Sequence, residues 1–303
     1  MQIPEDMGFV LVVRAPYLGA MVWHKDIANF VLGFSKKSNV EWIMISDKTA
    51  THVLRFACEY DGSGFYGFQI QKDLPTIQQS LEDTFKHVLG EKVSITPSGR
   101  TDTGVHAYRQ VCHAVLPSPP SQRAWGCLSN LYKLQSSVNH FLPSTIAIKD
   151  LERAPDGFHA RYSAKSKTYC YKCYISPVSS PLRDSYMLRL NAQPNISKMN
   201  KAAKYLVGTY DFSAFTTASN PIEDKVRTIY SLTIKLDGDE LSFFIRGNGF
   251  LHNMVRVIVG TLVNIGLAKL PPDSILEILD SKNRDKAGPT ASAHGLYLLD
   301  VEY

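Results

Sequence analysis

The sequence predicts an α+β fold made of two halves that share one order of elements. Apolar residues alternate, or recur at helical spacing, in the order βαββαβ from residue 51 to about residue 155. The same order returns from residue 156 to the C-terminus. It is typical of ferredoxin-like domains, so we expect two such halves packed side by side with a cleft between them.

The first half is predicted to span residues 51–155. Thr76-Ile-Gln-Gln79 resembles a capping box, the apolar residues after it recur at helical spacing, and Gly90 is expected to end that helix. The predicted elements are strands over His52–Tyr60, Lys92–Thr96, Tyr108–Leu116 and Ile146–Leu151, and helices over Ile77–Leu89 and Ala124–Val138.

The second half is predicted to span residues 156–303. A turn at Asp237-Gly238 separates two strands, and a long apolar segment predicts the longest helix of the chain. The predicted elements are strands over Lys167–Ile175, Val226–Leu236, Glu240–Arg246 and Leu296–Tyr303, and helices over Ser197–Leu206, Phe250–Leu267 and Ser274–Leu279.

The composition indicates a folded protein of one large or two medium domains. The chain has 303 residues, of which 44% are hydrophobic and 20% charged. Its formal net charge of +5 is compatible with a nucleic-acid partner but does not require one. Five cysteines, an odd and sparse set, argue against a disulfide framework and indicate a reducing compartment, which we take to be the cytoplasm.

The N-terminal region carries no pattern that predicts export or membrane insertion. No apolar run of the chain reaches the roughly 18 residues of a membrane span. Glu5 and Asp6 precede the apolar patch Gly8–Val13, where a signal peptide would carry Lys or Arg. Residues 1–50 predict no element, and we treat them as an N-terminal extension of unknown structure.

One carboxylate stands out because glycines flank it. Gly99 and Gly104 would let the backbone turn sharply around Asp102. Asp102 is then either a turn-former that hydrogen-bonds its own backbone, or a nucleophile or base that Arg100 and Arg256 keep ionised. No second acid lies close by in the sequence, which disfavours a glycosidase-like pair.

Arg256 is an unusual residue for its surroundings. It lies among Met254, Val255, Val257 and Ile258 in the predicted long helix. A guanidinium cannot lose its charge on burial, so a buried Arg256 requires a carboxylate or phosphate partner. The alternative is that its side chain extends out of the helix to solvent.

The segment Phe158–Lys172 is both basic and aromatic. Four cations alternate with three tyrosines and no acid interrupts them. Cations bind phosphates and tyrosine rings stack on unpaired bases, so the segment fits an RNA contact. It equally fits an edge strand protected by lysines.

Two other patterns are formal matches only. Asp61–Gly67 contains G-x-G-x-x-G after a strand, but no helix opens at it, so we interpret it as a turn and not as a dinucleotide site. Cys170-Tyr-Lys-Cys173 has no second cysteine pair or histidine pair near it, so we interpret both cysteines as ordinary strand residues.

Several ordered motifs resemble one known family. Gly99-Arg-Thr-Asp-Thr-Gly-Val-His-Ala107 is similar to the GRTDAGVHA motif of tRNA pseudouridine synthases of the TruA type, with Thr103 in place of the usual alanine. Glu59–Gln69 is similar to that family's first strand and turn, with Phe68 where tryptophan is usual. Further segments match in order up to the C-terminus: Phe158–Ala164 with Tyr169–Tyr171, Asp211–Phe215, Asn248–Arg256 and Gly295–Leu298.

The resemblance implies a specific activity. Members of this family convert uridines at positions 38 to 40 of the tRNA anticodon stem-loop to pseudouridine, as homodimers with an RNA-binding cleft in each subunit and without a cofactor. It implies that Asp102 is the nucleophile, that Tyr169 packs against the target base, that Arg100 helps to keep the base extruded and that Arg256 pairs with Asp102. Attack at C1′, attack at C6 and a glycal route remain open. A non-catalytic RNA-binding module on the same fold is the alternative hypothesis, and the intact Arg-Thr-Asp triplet disfavours it.

Overall fold

The computed structural model describes residues 10–15, 18–23, 41–45, 52–217 and 222–303. The helices of these residues are Ile77–Leu89 (α1), Gln122–Leu128 (α2), Leu131–Phe141 (α3), Ile196–Lys204 (α4), Met254–Gly266 (α5) and Ser274–Ser281 (α6). Their strands are Val10–Ala15 (β1), Leu18–Trp23 (β2), Glu41–Ile45 (β3), Val53–Tyr60 (β4), Ser94–Pro97 (β5), His106–Val115 (β6), Ile146–Arg153 (β7), Ser166–Ile175 (β8), Leu188–Leu190 (β9), Gly208–Asp211 (β10), Val226–Asp237 (β11), Glu240–Gly247 (β12) and Leu296–Glu302 (β13).

Ten strands form one sheet, which confirms the mixed α and β class. The order is β10-β11-β12-β8-β13-β6-β4-β7, with β5 added on β6 and β9 added on β8. The strands from residues 53–153 thus lie in the order β7-β4-β6-β5, and β8, β11, β12 and β13 lie in the order β13-β8-β12-β11. The two sets join where β13 pairs in parallel with β6, with Tyr297 opposite His106.

Helix α1 has the bounds and the cap that the sequence predicts. The Thr76 hydroxyl accepts a hydrogen bond from the Gln79 backbone N–H, and Gly90 ends the helix with a φ of 79°. Its buried face includes Leu81 and Phe85, and the Phe85 ring lies 5.5 Å from that of Phe56 on β4. This packing covers the sheet beside the loop that carries Asp102.

Helix α5 begins four residues later than predicted. The sequence suggested a helix from Phe250, but Asn253 adopts a left-handed conformation with a φ of 61°, and the helix starts at Met254. A left-handed residue cannot continue a right-handed helix, so Phe250–Asn253 stay in the preceding loop. All but Arg256 and Asn264 of the helical residues are buried, which accounts for the long apolar run.

The predicted helix over Ala124–Val138 is wrong as a single element. The structure has two helices, α2 and α3, separated at Ser129-Asn130. Asn130 starts the second helix because its side-chain oxygen accepts a hydrogen bond of 2.9 Å from the Lys133 backbone N–H. Strands β9 and β10, of three and four residues, have no counterpart among the predicted elements.

Residues 1–50 contain three strands that the sequence did not predict. β1 pairs antiparallel with both β2 and β3 in a separate sheet of order β2-β1-β3. Among the described residues, no helix is long and apolar enough to cross a membrane.

Candidate active site

The loop between β5 and β6 carries Asp102, and buried hydrogen bonds fix its first part. The Ser98 backbone N–H donates to the Val111 carbonyl at 2.8 Å. Gln110, which is fully buried, accepts from the Ser98 hydroxyl and donates to the Gly99 carbonyl at 2.6 Å. The Thr101 hydroxyl shares a hydrogen bond of 2.7 Å with the Tyr60 hydroxyl. Strand residues therefore hold the backbone on the approach to Asp102.

The glycine-rich turn after β4 supports the other side of this loop. The Phe68 backbone N–H donates to the Thr101 carbonyl at 3.1 Å. A Cβ atom on Gly62 would lie 2.1 Å from the Val105 carbonyl oxygen, so only glycine allows this approach. The G-x-G-x-x-G segment lies in a turn, as predicted, and α1 begins only at Ile77.

Asp102 lies at the surface of a cleft and is held by two loose contacts. Its Oδ2 atom is 3.6 Å from Arg256 Nη1, and its Oδ1 atom is 3.5 Å from His252 Nε2. Both distances exceed those of ordinary hydrogen bonds. The side chain is 31% exposed, and within the described chain the carboxylate accepts no hydrogen bond. Its lone pairs are thus available to a substrate.

Arg256 is oriented by groups that carry no net charge. Its Nε donates to the Ala291 carbonyl at 2.7 Å, and its Nη1 donates to the Asn253 side-chain oxygen at 2.7 Å. The left-handed conformation of Asn253 places its amide at the first turn of α5, against the guanidinium. Arg256 therefore does not extend to solvent, and its carboxylate neighbour is Asp102, 154 positions earlier in the chain.

Tyr169 forms an apolar wall beside Asp102. It lies on β8 with 8% of its surface exposed, and its ring meets the Phe250 ring edge-on at 5.2 Å. Burial, and then the negative charge of Asp102, raise the pKa of the Tyr169 phenol well above its usual value. The phenol is therefore neutral at any physiological pH.

Arg100 is exposed at the rim of the same cleft. It makes no ion pair or hydrogen bond with any residue that the structure describes. The cleft has a volume of about 830 Å³. Residues from both sets of strands line it, so all four residues singled out by the sequence, Arg100, Asp102, Tyr169 and Arg256, meet there.

Two further residues of the cleft were not predicted as site residues. His252 lies beside Asp102, and its Nδ1 is 3.1 Å from the Thr217 hydroxyl. The available signal was its place in Asn248–Arg256, a segment that resembles the family but that the predicted helix from Phe250 wrongly included in part. Lys167, which belongs to the basic segment Phe158–Lys172, donates a hydrogen bond of 2.6 Å to the Ser98 carbonyl.

Comparisons with known proteins agree on one family. A family model described as tRNA pseudouridine synthase matches residues 56–163 and 202–303. The chain is 41% identical over 253 residues to tRNA pseudouridine synthase A of Bacillus subtilis, covering 82% of this chain and 98% of the relative. It is 40% identical over 252 residues to tRNA pseudouridine synthase A of Ruminiclostridium cellulolyticum, covering 82% of this chain and 99% of the relative.

A comparison with solved structures matches a crystal structure of a Cbf5-Nop10-Gar1 complex. The match covers 70% of this chain and 45% of the other, with a TM-score of 0.32 and 11% sequence identity. This likeness is too weak to inform the arrangement of the strands.

Proposed function

We propose a specific reaction for this chain, which belongs to the tRNA pseudouridine synthase family, whose members are isomerases that act on tRNA uridines. The proposed reaction is the isomerisation of uridine at position 38, 39 or 40 of the anticodon stem-loop, with Asp102 as the nucleophile. The observation that carries the proposal is the Asp102 carboxylate, free of hydrogen bonds within the described chain and directed at the cleft.

The reaction consumes no second substrate because the product is an isomer of the substrate. The N1–C1′ bond breaks, the uracil rotates, and a C5–C1′ bond forms. The C5 proton leaves and N1 takes up a proton, so atoms and electrons balance without a redox partner. The Asp102 carboxylate attacks C1′ or C6, or assists a glycal route, and is regenerated when the new bond has formed.

The target base must leave the helical stack before Asp102 can reach it. Extrusion costs a few kcal/mol. The Tyr169 ring offers a stacking face in the cleft, at the edge of which Arg100 lies without a protein partner among the described residues. We assign Tyr169 to contact with the extruded base and Arg100 to the space that the base leaves.

Arg256 has a separate role. It lies 3.6 Å from Asp102 and is itself fixed by Ala291 and Asn253. A fixed cation orients the carboxylate and balances its charge in a cleft from which substrate excludes water. We assign it to positioning the nucleophile.

Asp102→Ala and Thr103→Ala test this proposal together. Thr103 is the exposed neighbour of Asp102, so its variant controls for changes in the loop. Tritium released from tRNA labelled at C5 of uridine measures turnover, and carbodiimide primer extension locates the product. We expect no turnover by Asp102→Ala, wild-type turnover by Thr103→Ala and signals at positions 38 to 40.

Different failures reject different parts of the proposal. Residual product with Asp102→Ala would reject the nucleophile. Product at other positions would reject the site on tRNA. Binding of tRNA by the wild-type protein without tritium release would favour the non-catalytic RNA-binding module.

We also propose that residues 51–155 and 156–303 are two ferredoxin-like subdomains. The support is that four main strands of each part lie in the order fourth, first, third, second. This is the order expected when a βαββαβ unit forms an antiparallel sheet. The N-terminal residues 1–50 would then be an appended element, and a chain beginning at residue 51 should retain tRNA binding.

A homodimer in the cytoplasm is proposed on the family resemblance. The mass of the protein in solution, measured by light scattering, tests the dimer, and cell fractionation tests the compartment. A monomeric mass would contradict the dimer without affecting the assignment of Asp102.

A further inference from the structure

Lys167 is a cation in the cleft that has no carboxylate partner among the described residues. It lies on β8, two positions before Tyr169, and its amine donates one hydrogen bond of 2.6 Å, to the Ser98 carbonyl. An ammonium has three donors, so two remain available. The residue lines the cleft with Asp102.

Burial makes this arrangement unfavourable without a ligand. The pKa of Lys167 is lowered from its ordinary value of 10.5 to about 8, first by burial and then by the positive charge of Arg161. Strand positions paired with Lys167 are Gly247 of β12 and Val301 of β13, which carry no charge. The charged or titratable residues that line the cleft around it are Arg100, Asp102, Arg161, Tyr169, His252 and Arg256.

The one carboxylate of that set, Asp102, lies 3.6 Å from Arg256 and 3.5 Å from His252 and forms no ion pair with Lys167. Cations therefore outnumber anions in the cleft, and one of these cations is the Lys167 ammonium, whose burial is unfavourable. Buried cations are tolerated in proteins where an anion arrives to meet them.

The loop backbone is shaped around the Lys167 amine. A Cβ atom on Gly99 would lie 2.9 Å from Lys167 Nζ. The absence of a side chain at this position lets the amine reach the backbone that leads to Arg100 and Asp102. A cation held there faces whatever enters beside the nucleophile.

We propose that Lys167 binds a backbone phosphate of the nucleotide that enters the cleft. The proposal rests on the proposed function, because an extruded uridine brings its flanking phosphates with it. Uracil and ribose are uncharged, so a phosphate is the anion that this substrate supplies. Such a contact positions the nucleotide without reading its sequence.

A purely structural role for Lys167 makes a different prediction. If the amine only supports the Ser98 carbonyl, its removal would disturb the nucleophile loop and slow turnover. It would not change the number of phosphates that the protein neutralises. The salt dependence of tRNA binding separates the two roles, because its slope reports that number.

The experiment compares Lys167→Met, Lys167→Arg and a control, Lys149→Met. Lys149 lies on β7 and is already paired with Glu59, so its variant has the same change in net charge away from the cleft. We expect Lys167→Met to raise the Kd for tRNA about tenfold at low salt and to reduce the salt slope by about 1. Lys167→Arg and Lys149→Met should stay within about threefold of wild type.

An unchanged Kd and slope for Lys167→Met would overturn the proposal, as would a loss of kcat alone.

A second experiment does not depend on how well Lys167→Met folds. Between pH 7 and pH 9 the wild-type Kd should rise up to about tenfold more than that of Lys167→Arg, because a guanidinium keeps its charge. Parallel pH profiles would overturn the proposal.

The outcome is separable from the proposed function. If the wild-type protein fails to isomerise positions 38 to 40, the failure is seen without any variant. The Lys167 inference fails only in the comparison of Kd values and slopes between variants.

Discussion

Asp61 and Asp102 have similar sequence surroundings and opposite environments in the structure. Each lies in a turn beside a strand with glycine close by. Asp61 accepts a hydrogen bond of 2.9 Å from the Ser63 backbone N–H and another of 2.9 Å from the Tyr186 hydroxyl. Among the described residues, the Asp102 carboxylate accepts no hydrogen bond, and its charged or titratable partners lie at 3.5 and 3.6 Å. The first carboxylate is satisfied by the fold, and the second is left for a substrate.

The pKa of Asp61 reflects these bonds. Partial burial alone would raise it, but the hydrogen bonds from Ser63 and Tyr186 outweigh burial and leave the pKa below its usual value. His106 Nδ1 lies 3.1 Å from Asp61, yet it accepts the Gly62 backbone N–H, while Nε2 donates to the His294 carbonyl. The imidazole is therefore neutral, and burial lowers its pKa. Asp61 belongs to a network that holds the fold together.

An acidic residue beside glycines is therefore a catalytic candidate only when its carboxylate oxygens accept no hydrogen bonds from the protein. The hydrogen bonds that satisfy Asp61 come in part from Tyr186, 125 positions away. Local sequence could not separate the two acids. Four predictions test this distinction.

The largest expected effect is on turnover, from the same substitution at both acids. Asp102→Ala should lower kcat by at least about a thousandfold, because the nucleophile is removed. Asp61→Ala should keep kcat within about tenfold of wild type, because Asp61 does not line the cleft. Tritium release at saturating tRNA measures both, and equal losses would contradict the comparison.

Gly62→Ala should be the most destabilising change in the turn that carries Asp61. The new Cβ atom would lie 2.1 Å from a backbone carbonyl, which cannot move aside as a side chain can. We expect a loss of about 3 kcal/mol in the free energy of unfolding. Gly64→Ala is the matched control, since nothing lies within 4 Å of its Cβ position. Urea unfolding measures both, and equal midpoints would show that the turn yields easily.

Asp61→Ala should destabilise the protein at neutral pH by about 1–2 kcal/mol, through the loss of two hydrogen bonds. The pKa of Asp61 is lower in the folded state, so its contribution is complete above the unfolded pKa near about 4 and is lost as pH falls through the folded value. The difference in unfolding free energy between wild type and Asp61→Ala should therefore shrink below about pH 4. A constant difference down to pH 2 would show that packing, and not the charge, is what Asp61 supplies.

The sequence predicts most elements whose apolar pattern is long enough to be periodic. Helix α1, with its Thr76 cap and its end at Gly90, and eight of the ten strands of the large sheet follow from local pattern, whereas β9 and β10 do not. The start of α5 does not, because the left-handed conformation of Asn253, whose side-chain oxygen accepts a hydrogen bond from Arg256, leaves no mark on the apolar spacing. The break at Ser129-Asn130 depends on a single side-chain cap and leaves no mark on apolar spacing.

The candidate site was predicted in part, for a similar reason. Arg256 stood out because a charge in an apolar helix requires a partner, and Asp102 because glycines flank it. Neither observation identifies the other residue, and the resemblance to a family linked them. Lys167 was missed because lysines are ordinary on strands, and its burial arises only when β8 meets the loop after β5.

The smallest expected effect extends the comparison from acids to a cation. If Lys167 is held for a substrate and not for the fold, removing its charge should stabilise the free protein. Its pKa of about 8 in the folded state lies below the ordinary 10.5, so the unfolded chain binds the proton more tightly between these values. The cost of keeping Lys167 charged at pH 7 is about 3 kcal/mol at most, and the hydrogen bond to Ser98 returns part of it.

Lys167→Met should accordingly raise the free energy of unfolding at pH 7 by about 1 kcal/mol. The difference from wild type should shrink as pH rises from 8 towards 10.5, because wild-type Lys167 becomes neutral in both states. Urea unfolding of the free protein across this range measures it. If Lys167→Met is instead less stable at pH 7, the amine contributes more through Ser98 than burial costs. Lys167 would then resemble Asp61, as a group whose hydrogen bonds within the protein stabilise the fold. The distinction between structural groups and substrate-binding groups would then hold for Asp61 and Asp102 but not for Lys167.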